Sequence, residues 1–473
     1  MDFEEYRRFD ALGLADLIAS GQVSSAEVLE AAIARSQARN GLINAVVAHD
    51  LERARSQALN PATSGPLAGV PFLVKDLVYM QGMACTYGSR LYKDNVVDHD
   101  STAVERFRNA GLNIFARTNT PEFGLNVVTE PALFGPTRNP WNTDHTPGGS
   151  SGGAGAAVAD GWVPAAHATD GGGSIRIPAA CCGLVGLKPG RARNPSGPDV
   201  GEGWSGMSAG HVVSWSVRDS AAFLDVLNGP APGDPYSAPH HEGSYLDAIE
   251  TPPRQLRIGI ETRTVTGVAA DPECLAAVDQ AAILCEGLGH IVEVASPEFD
   301  RAEFGAATST LVAANIANQV FGRAAALGRA LRDDDVEPHT RLFAERGRVL
   351  TAEDYARSLG VIHRTGRVLA AYHADYDLML SPVLVCPPVR IGYLDSHTDY
   401  EPTRYAERFL SFWGYTNLQN ATGQPAISLP LHRSIKGLPI GVQFVSATGG
   451  EALLLRLARQ LEQAAAWPRQ GVA

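Results

Sequence analysis

The sequence predicts an α/β fold: a single large domain with helices flanking both faces of a central mixed, mostly parallel sheet. Three observations point there. Apolar runs of strand length alternate with helix-length periodic segments on both sides of a proline-rich stretch at 228–253. Those runs are largely apolar throughout, as strands buried on both faces must be. Hydrophobic residues make up 45% of the 473, enough for a large buried core.

The elements follow in order. Ser24-Ser-Ala-Glu27 has capping-box spacing and opens a helix whose apolar face carries Val28, Leu29, Ala32 and Ile33. Leu42–Val47 and Val70–Val74 read as short buried strands. A helix between His99 and Ala110 leads to a strand at Leu112–Ala116. Ser151–Asp160, small and rich in Ala and Gly, reads as helical. Val163–Ala168 and Leu184–Leu187 read as strands separated by a glycine-rich loop. Ser216–Leu227 reads as a helix. Asn228–Pro253 holds six prolines and is expected to be a long surface connection within one domain spanning 1–473. Beyond it come a strand (Leu256–Ile260), a helix (Pro272–Leu288) and a strand (His290–Val294). Long helical stretches are predicted at Phe304–Leu331 and Thr351–His373, then short strands at Leu378–Ser381, Ala426–Leu429 and Ile440–Phe444. The helix Glu451–Gln463 closes the chain.

Charge and composition narrow the function classes. Lys and Arg total 39 against 51 Asp and Glu, a formal net charge of -12. An acidic surface repels phosphate backbones and anionic lipid heads, so neither nucleic acid nor membrane is the expected partner. The amino terminus opens acidic with no apolar run behind it, so no ordinary signal peptide is expected. Six cysteines without CxxC spacing suit buried free thiols better than disulfides or a metal site. The expectation is a soluble, reduced, cytoplasmic protein with no metal and no cofactor, whose oligomeric state the sequence leaves open.

Two glycine-rich words carry the chemistry, Pro147-Gly-Gly-Ser150-Ser-Gly-Gly153 and Thr169-Asp-Gly-Gly-Gly-Ser174-Ile-Arg-Ile-Pro178. Neither window matches GxxxxGK[S/T] or GxGxxG, so a phosphate cradle is disfavoured. Glycine content alone fits tight turns before it fits a functional loop. The serines shift that balance, because a hydroxyl nucleophile needs amide N–H donors aimed at the developing oxyanion. Gly171, Gly172 and Gly173 run directly into Ser174 and offer such donors together with Ser174's own N–H. None of the thirteen histidines lies in either word. The candidate base is Lys75, directly after the apolar Val70–Val74 strand, where desolvation lowers a lysine pKa. By itself such a lysine reads first as one snorkelling from a strand end. A histidine-based alternative would use His167, whose place in a predicted strand suggests core packing instead.

With these residues in place, the sequence resembles the amidase signature family. Ser150 follows Lys75 by 75 residues and Ser174 follows Ser150 by 24, spacings similar to the family's Ser–cis-Ser–Lys triad. The resemblance extends over nearly the whole chain. It includes Thr118-Asn-Thr-Pro-Glu-Phe123, Arg138-Asn-Pro-Trp141, Gly183-Leu-Val-Gly-Leu-Lys-Pro189, Asn420-Ala-Thr-Gly-Gln-Pro-Ala-Ile-Ser428 and Gly437-Leu-Pro-Ile-Gly-Val-Gln443. It implies that Ser174 attacks the carbonyl, that Ser150 relays the proton after a cis peptide from Gly149, and that neutral Lys75 receives it. An acyl-enzyme on Ser174 would follow. Gly149, Ser151, Thr169, Asp170 and Arg176 would support the loops, with Asp170 and Arg176 bracing through charge-assisted bonds. The implied core motifs span 69–191, and a helical region at about 302–373 would cover the pocket. Within the family, Asn139-Pro-Trp-Asn142 and Thr129-Glu-Pro131 look most like the branch hydrolysing nylon-type cyclic amide oligomers; aryl acylamidases and urethanases are also similar. The chain departs from the family pattern at Gly171, where a bulkier residue is usual, and at Gly190, where threonine is usual. Gly171 is expected to loosen or widen the oxyanion loop. The implied substrate is a small neutral amide, with carbamates and esters as further candidates. The rivals are the glutaminase subunit of a tRNA-dependent amidotransferase and a non-catalytic binding scaffold on the same fold.

Overall fold

The computed structural model describes residues 1–60, 65–465 and 467. The expected 1–473 domain also takes in 61–64, 466 and 468–473, which lie outside the described residues. The capping box forms as expected: Ser24 Oγ accepts from Glu27 N at 3.2 Å, and Ser24 N donates to the Glu27 carboxylate at 2.8 Å. The helix it starts, Ser25–Ile43, overruns the predicted strand at Leu42 and stops where Asn44 takes a left-handed φ of 54°. The short polar side chain of asparagine tolerates that conformation, so the strand begins only at Val46.

The described residues form eleven strands: β1 (Val46–His49), β2 (Pro71–Lys75), β3 (Asn113–Thr118), β4 (Ala165–Asp170), β5 (Val185–Lys188), β6 (Ala209–Ser214), β7 (Arg257–Ile260), β8 (Ile291–Val294), β9 (Leu378–Pro382), β10 (Ala426–Arg433) and β11 (Pro439–Ser446). They divide into a three-stranded sheet ordered β1-β3-β2 and an eight-stranded sheet ordered β4-β6-β5-β10-β11-β9-β7-β8. The large sheet is mixed, as expected, but not mostly parallel. Only β9–β7 and β7–β8 pair in parallel there, while the other five neighbour pairs are antiparallel. Two features account for this. The connection from β10 to β11 is a short turn, which permits antiparallel pairing only. Strand β6, which the periodicity of the sequence does not predict, inserts between β4 and β5 antiparallel to both.

Helices cover both faces of the large sheet. Val185 and Leu187 point into one apolar cluster with Leu224, Val278 and Leu454 from the helices Val217–Leu227, Pro272–Gly287 and Glu451–Ala464. Gly186, between them on β5, points the other way, where a β-carbon would meet the Ala179 side chain at 2.6 Å on the helix Arg176–Cys182. The 228–253 connection contains one helical turn, Tyr245–Ala248, and buries Tyr245 and Ile249 in the same cluster as Val185 and Leu187. The 302–373 region resolves into three helices, Arg301–Ala326, Pro338–Arg348 and Ala352–Asp375. Among the described residues no helix is long and apolar enough to cross a membrane.

Candidate active site

Lys75 is the last residue of β2, a strand whose five residues are all buried. Its Nζ lies 2.7 Å from Ser150 Oγ, 2.8 Å from Ser151 Oγ and 3.0 Å from Thr169 Oγ1. Ser151 donates its own hydroxyl proton to the Thr169 carbonyl at 3.1 Å, so toward Lys75 it can act only as acceptor. Ser150 has no such commitment and can present its O–H to a neutral amine. Burial pushes the Lys75 pKa well below its ordinary value, and the Asp170 charge offsets part of that. The neighbouring Asp76 does not hold the lysine charged, because its carboxylate is paired with buried Arg117 at 2.8 Å.

The Gly149–Ser150 peptide is cis. Gly149 must be glycine, since a β-carbon would sit 2.7 Å from the Val128 backbone. Thr129 pins the turn from outside: its hydroxyl donates to Gly148 O at 2.9 Å and accepts from Gly152 N at 3.1 Å. The small residues Gly152–Ala159 then start a fully buried helix.

Beyond β4, Asp170 organises the second loop. Its carboxylate accepts from Gly173 N at 2.7 Å and from Ile175 N at 3.2 Å, and forms a two-pronged pair with Arg176 at 2.9 Å on each side. Both side chains are fully buried, and the Arg176 guanidinium holds the Asp170 carboxyl far below the usual carboxylate range. Arg176 reaches Gln443 at 2.6 Å and Asn420 at 2.6 Å as well. From the other side, Gly172 O accepts from Trp413 Nε1 at 2.8 Å and from Thr416 Oγ1 at 2.6 Å. Gly173 has φ +130°, and a β-carbon there would collide with Thr416 Oγ1. Of the N–H groups the sequence offered as oxyanion donors, that of Gly173 is held by Asp170 in the resting loop. Ser174 is 7% exposed at the start of the turn into the helix Arg176–Cys182, not on an open surface loop. Among the described residues, the bonds from Lys75 reach Ser150, Ser151 and Thr169, and no direct hydrogen bond carries them on to Ser174.

His167 faces the core. It is fully buried on β4, its ring meets Phe107 edge-on at 5.6 Å, and burial pushes its pKa down to about 3. Among the described residues no cluster of three His, Cys, Asp or Glu could hold a metal ion.

Comparison with known proteins gives this geometry its family. The family model described as Amidase matches residues 27–455. The chain belongs to the amidase signature family. It is 42% identical over 471 residues to a 6-aminohexanoate-cyclic-dimer hydrolase of Paenarthrobacter ureafaciens, covering 97% of this chain and 95% of the relative. A solved structure of a 6-aminohexanoate cyclic dimer hydrolase superposes with a TM-score of 0.91 at 39% identity, over 99% of each chain. A bacterial aryl acylamidase superposes with a TM-score of 0.88 at 27% identity, over 97% of this chain and 96% of that one. As a member of the amidase family, the chain is a hydrolase acting on amide carbon–nitrogen bonds.

Several residues that shape this amidase site are not marked in the sequence. Thr416 and Trp413 sit some 240 positions from the loop they clamp and lie in no glycine-rich word. Asn420 and Gln443 are visible there only as letters in family-like words, without a role, and Gln419 lies outside those words. The most consequential of these silent residues is Trp204. Its ring occupies the space a side chain on Gly171 would need, 2.9 Å from where the β-carbon would sit, so the expected widening of the loop is filled from outside.

Proposed function

We propose that this amidase hydrolyses a neutral amide with an apolar acyl or amine group, using Ser174 as nucleophile, Ser150 as relay and Lys75 as base. The single observation that carries this reading is the buried Lys75 Nζ, 2.7 Å from Ser150 Oγ and with its pKa pushed well down. Ser174 Oγ attacks the carbonyl carbon and its proton passes to Ser150, whose own proton moves to Lys75. The oxyanion is held by the N–H groups of Gly171, Gly172 and Ser174. Collapse breaks the C–N bond, and the proton returns through Ser150 to the departing amine. Water then attacks the acyl-Ser174 ester, the acid leaves and Ser174 regains its proton. No step needs a metal or cofactor.

The covering helices support an uncharged substrate. Phe304, Leu311, Ile316 and Val320 are fully buried and form the interior of that layer. The partly buried Val312, Phe321 and Tyr355 pack on the same clusters and extend that apolar layer. A cyclic dimer of 6-aminohexanoate, aryl amides and aryl carbamates are therefore the substrates to try first, with glutamine as the contrast.

The test is chemical labelling with turnover. Ser174→Ala should lower amide turnover by about 10³-fold or more while the unfolding midpoint stays put. A sulfonyl fluoride should leave its adduct on Ser174 by mass spectrometry. An adduct elsewhere, or near-normal turnover in the alanine variant, rejects the assignment.

A further inference from the structure

The segment that fills the Gly171 space is built for a fixed position. Trp204, Ser205 and Gly206 have φ of 50°, 56° and 79°, three successive left-handed residues of which two carry side chains. Non-glycine residues adopt that conformation only where surrounding contacts impose it. Here Arg191 Nε donates to Gly206 O at 2.7 Å. Ser205 Oγ bonds Tyr355 OH at 2.8 Å and accepts from Asn315 Nδ2 at 2.8 Å, tying the turn to two helices of the covering layer.

The three loop glycines differ in what stands over them. A β-carbon on Gly171 would lie 2.9 Å from Trp204 Cε3 and 3.1 Å from Cζ3; one on Gly173 would meet Thr416 and Ile177; one on Gly172 would meet nothing within 4 Å. The open side of the oxyanion loop is therefore above Gly172, and the indole flanks it. Trp204 is partly exposed and packs on both apolar clusters of the covering layer, so it stands between that layer and the loop.

We propose that Trp204 is a specificity-determining residue, its indole forming a flat wall beside the group attached to the scissile carbonyl. This rests on the oxyanion role given above to the Gly171–Ser174 loop. A flat, fixed wall accepts an unbranched methylene chain or a planar group and excludes branching next to the carbonyl. Gly171 is the complement of this wall. Its φ lies outside the left-handed region, so alanine suits the backbone there and the indole is the obstacle.

The experiment compares kcat/KM for p-nitroanilides of unbranched and α-branched acyl groups of equal carbon number, with p-nitrophenyl esters of the same acids alongside. Trp204→Ala should raise activity on the branched substrate and shrink the unbranched-to-branched ratio by about tenfold, the scale of a misfit methylene in an apolar pocket. Trp204→Phe should fall between. Gly171→Ala should lower kcat/KM on both substrates by about tenfold, and the Gly171→Ala/Trp204→Ala pair should recover the level of Trp204→Ala alone. An unchanged ratio in Trp204→Ala, a harmless Gly171→Ala, or a double variant no better than Gly171→Ala overturns the proposal. Sulfonyl fluoride labelling of Ser174 in each variant separates the two readings. Labelled Ser174 with an unchanged ratio rejects the wall and keeps the nucleophile; an unlabelled but active wild type rejects the nucleophile.

Discussion

Lys75 loses its hydration when β2 is buried, and three hydroxyl oxygens surround its nitrogen in place of a carboxylate. The Asp170 charge restores only part of the preference for the ammonium form, so the folded pKa lies well below that of an exposed lysine. Activity that needs the neutral amine must then rise with pH through that lowered value. The expected kcat/KM profile has an ascending limb below the ~10.4 of free lysine, belonging to the coupled Lys–Ser–Ser unit. Lys75→Ala should remove the limb and should impair amides more than activated esters, whose leaving groups need little protonation. His167→Asn should leave the limb in place, since a ring held neutral down to about pH 3 in the core cannot produce a step near ~6.5. A limb that follows His167 and ignores Lys75 in a pH–rate series would reverse the assignment. The two candidate serines were legible in the sequence because their words are local and glycine-marked, whereas Lys75 follows a plain apolar strand and stands out as the base only through the resemblance. Trp204 was not, because its contact with Gly171 joins two loops whose residues carry no shared pattern.

At the level of single elements, the loop after β4 and the helix Arg176–Cys182 are held as one piece by the Asp170–Arg176 pair. Replacing Arg176 with alanine leaves a fully buried carboxylate unpaired, which costs on the order of 3–5 kcal/mol. Chemical denaturation of Arg176→Ala should show a loss of that size, with turnover falling as the Asp170 carboxylate that holds Gly173 N–H loses its brace. A variant as stable as wild type would mean the pair is dispensable. Elements were most legible where caps are encoded locally, as at Ser24 and Glu27, and least where pairing partners are distant. Strand β6 begins Ala209-Gly-His and looks weak in isolation, yet it pairs along the whole of β4. That single insertion turns a parallel arrangement of β4 and β5 into an antiparallel run.

Across the whole molecule, the covering helices join the body of the fold through a second set of buried carboxylates. Glu122 Oε1 accepts from Ser89 Oγ at 2.6 Å, and Oε2 accepts from Glu337 N at 2.7 Å, where Glu337 caps the helix Pro338–Arg348. Burial, reinforced by the Glu337 charge, pushes the Glu122 pKa up to about 8. A raised carboxyl pKa means the native state keeps a proton that the unfolded chain releases near ~4.5, so this group's stabilisation is complete below that pH and is lost as pH climbs to about 8. Over that window this carboxyl's contribution to stability should fall as pH rises, and Glu122→Gln should make the overall decline shallower. Thermal melts between pH 5 and 8 that keep the same slope in both proteins would exclude Glu122 as the source. The α/β class and the alternation of elements were readable from periodicity, but sheet order and direction depend on which distant segments meet, and no local pattern records that. The same distance shapes how the enzyme comes into being. Lys75 ends a strand of the small sheet and bonds residues 75 and 94 positions later, beside the edge of the large one. Neither sheet alone brings Lys75 to Ser150 and Thr169, so if these groups do the chemistry, turnover begins only once the two sheets have docked, a step that must close loops of that length. In a refolding experiment the helical signal should therefore return first and catalysis last, which makes amide hydrolysis a gauge of completed assembly.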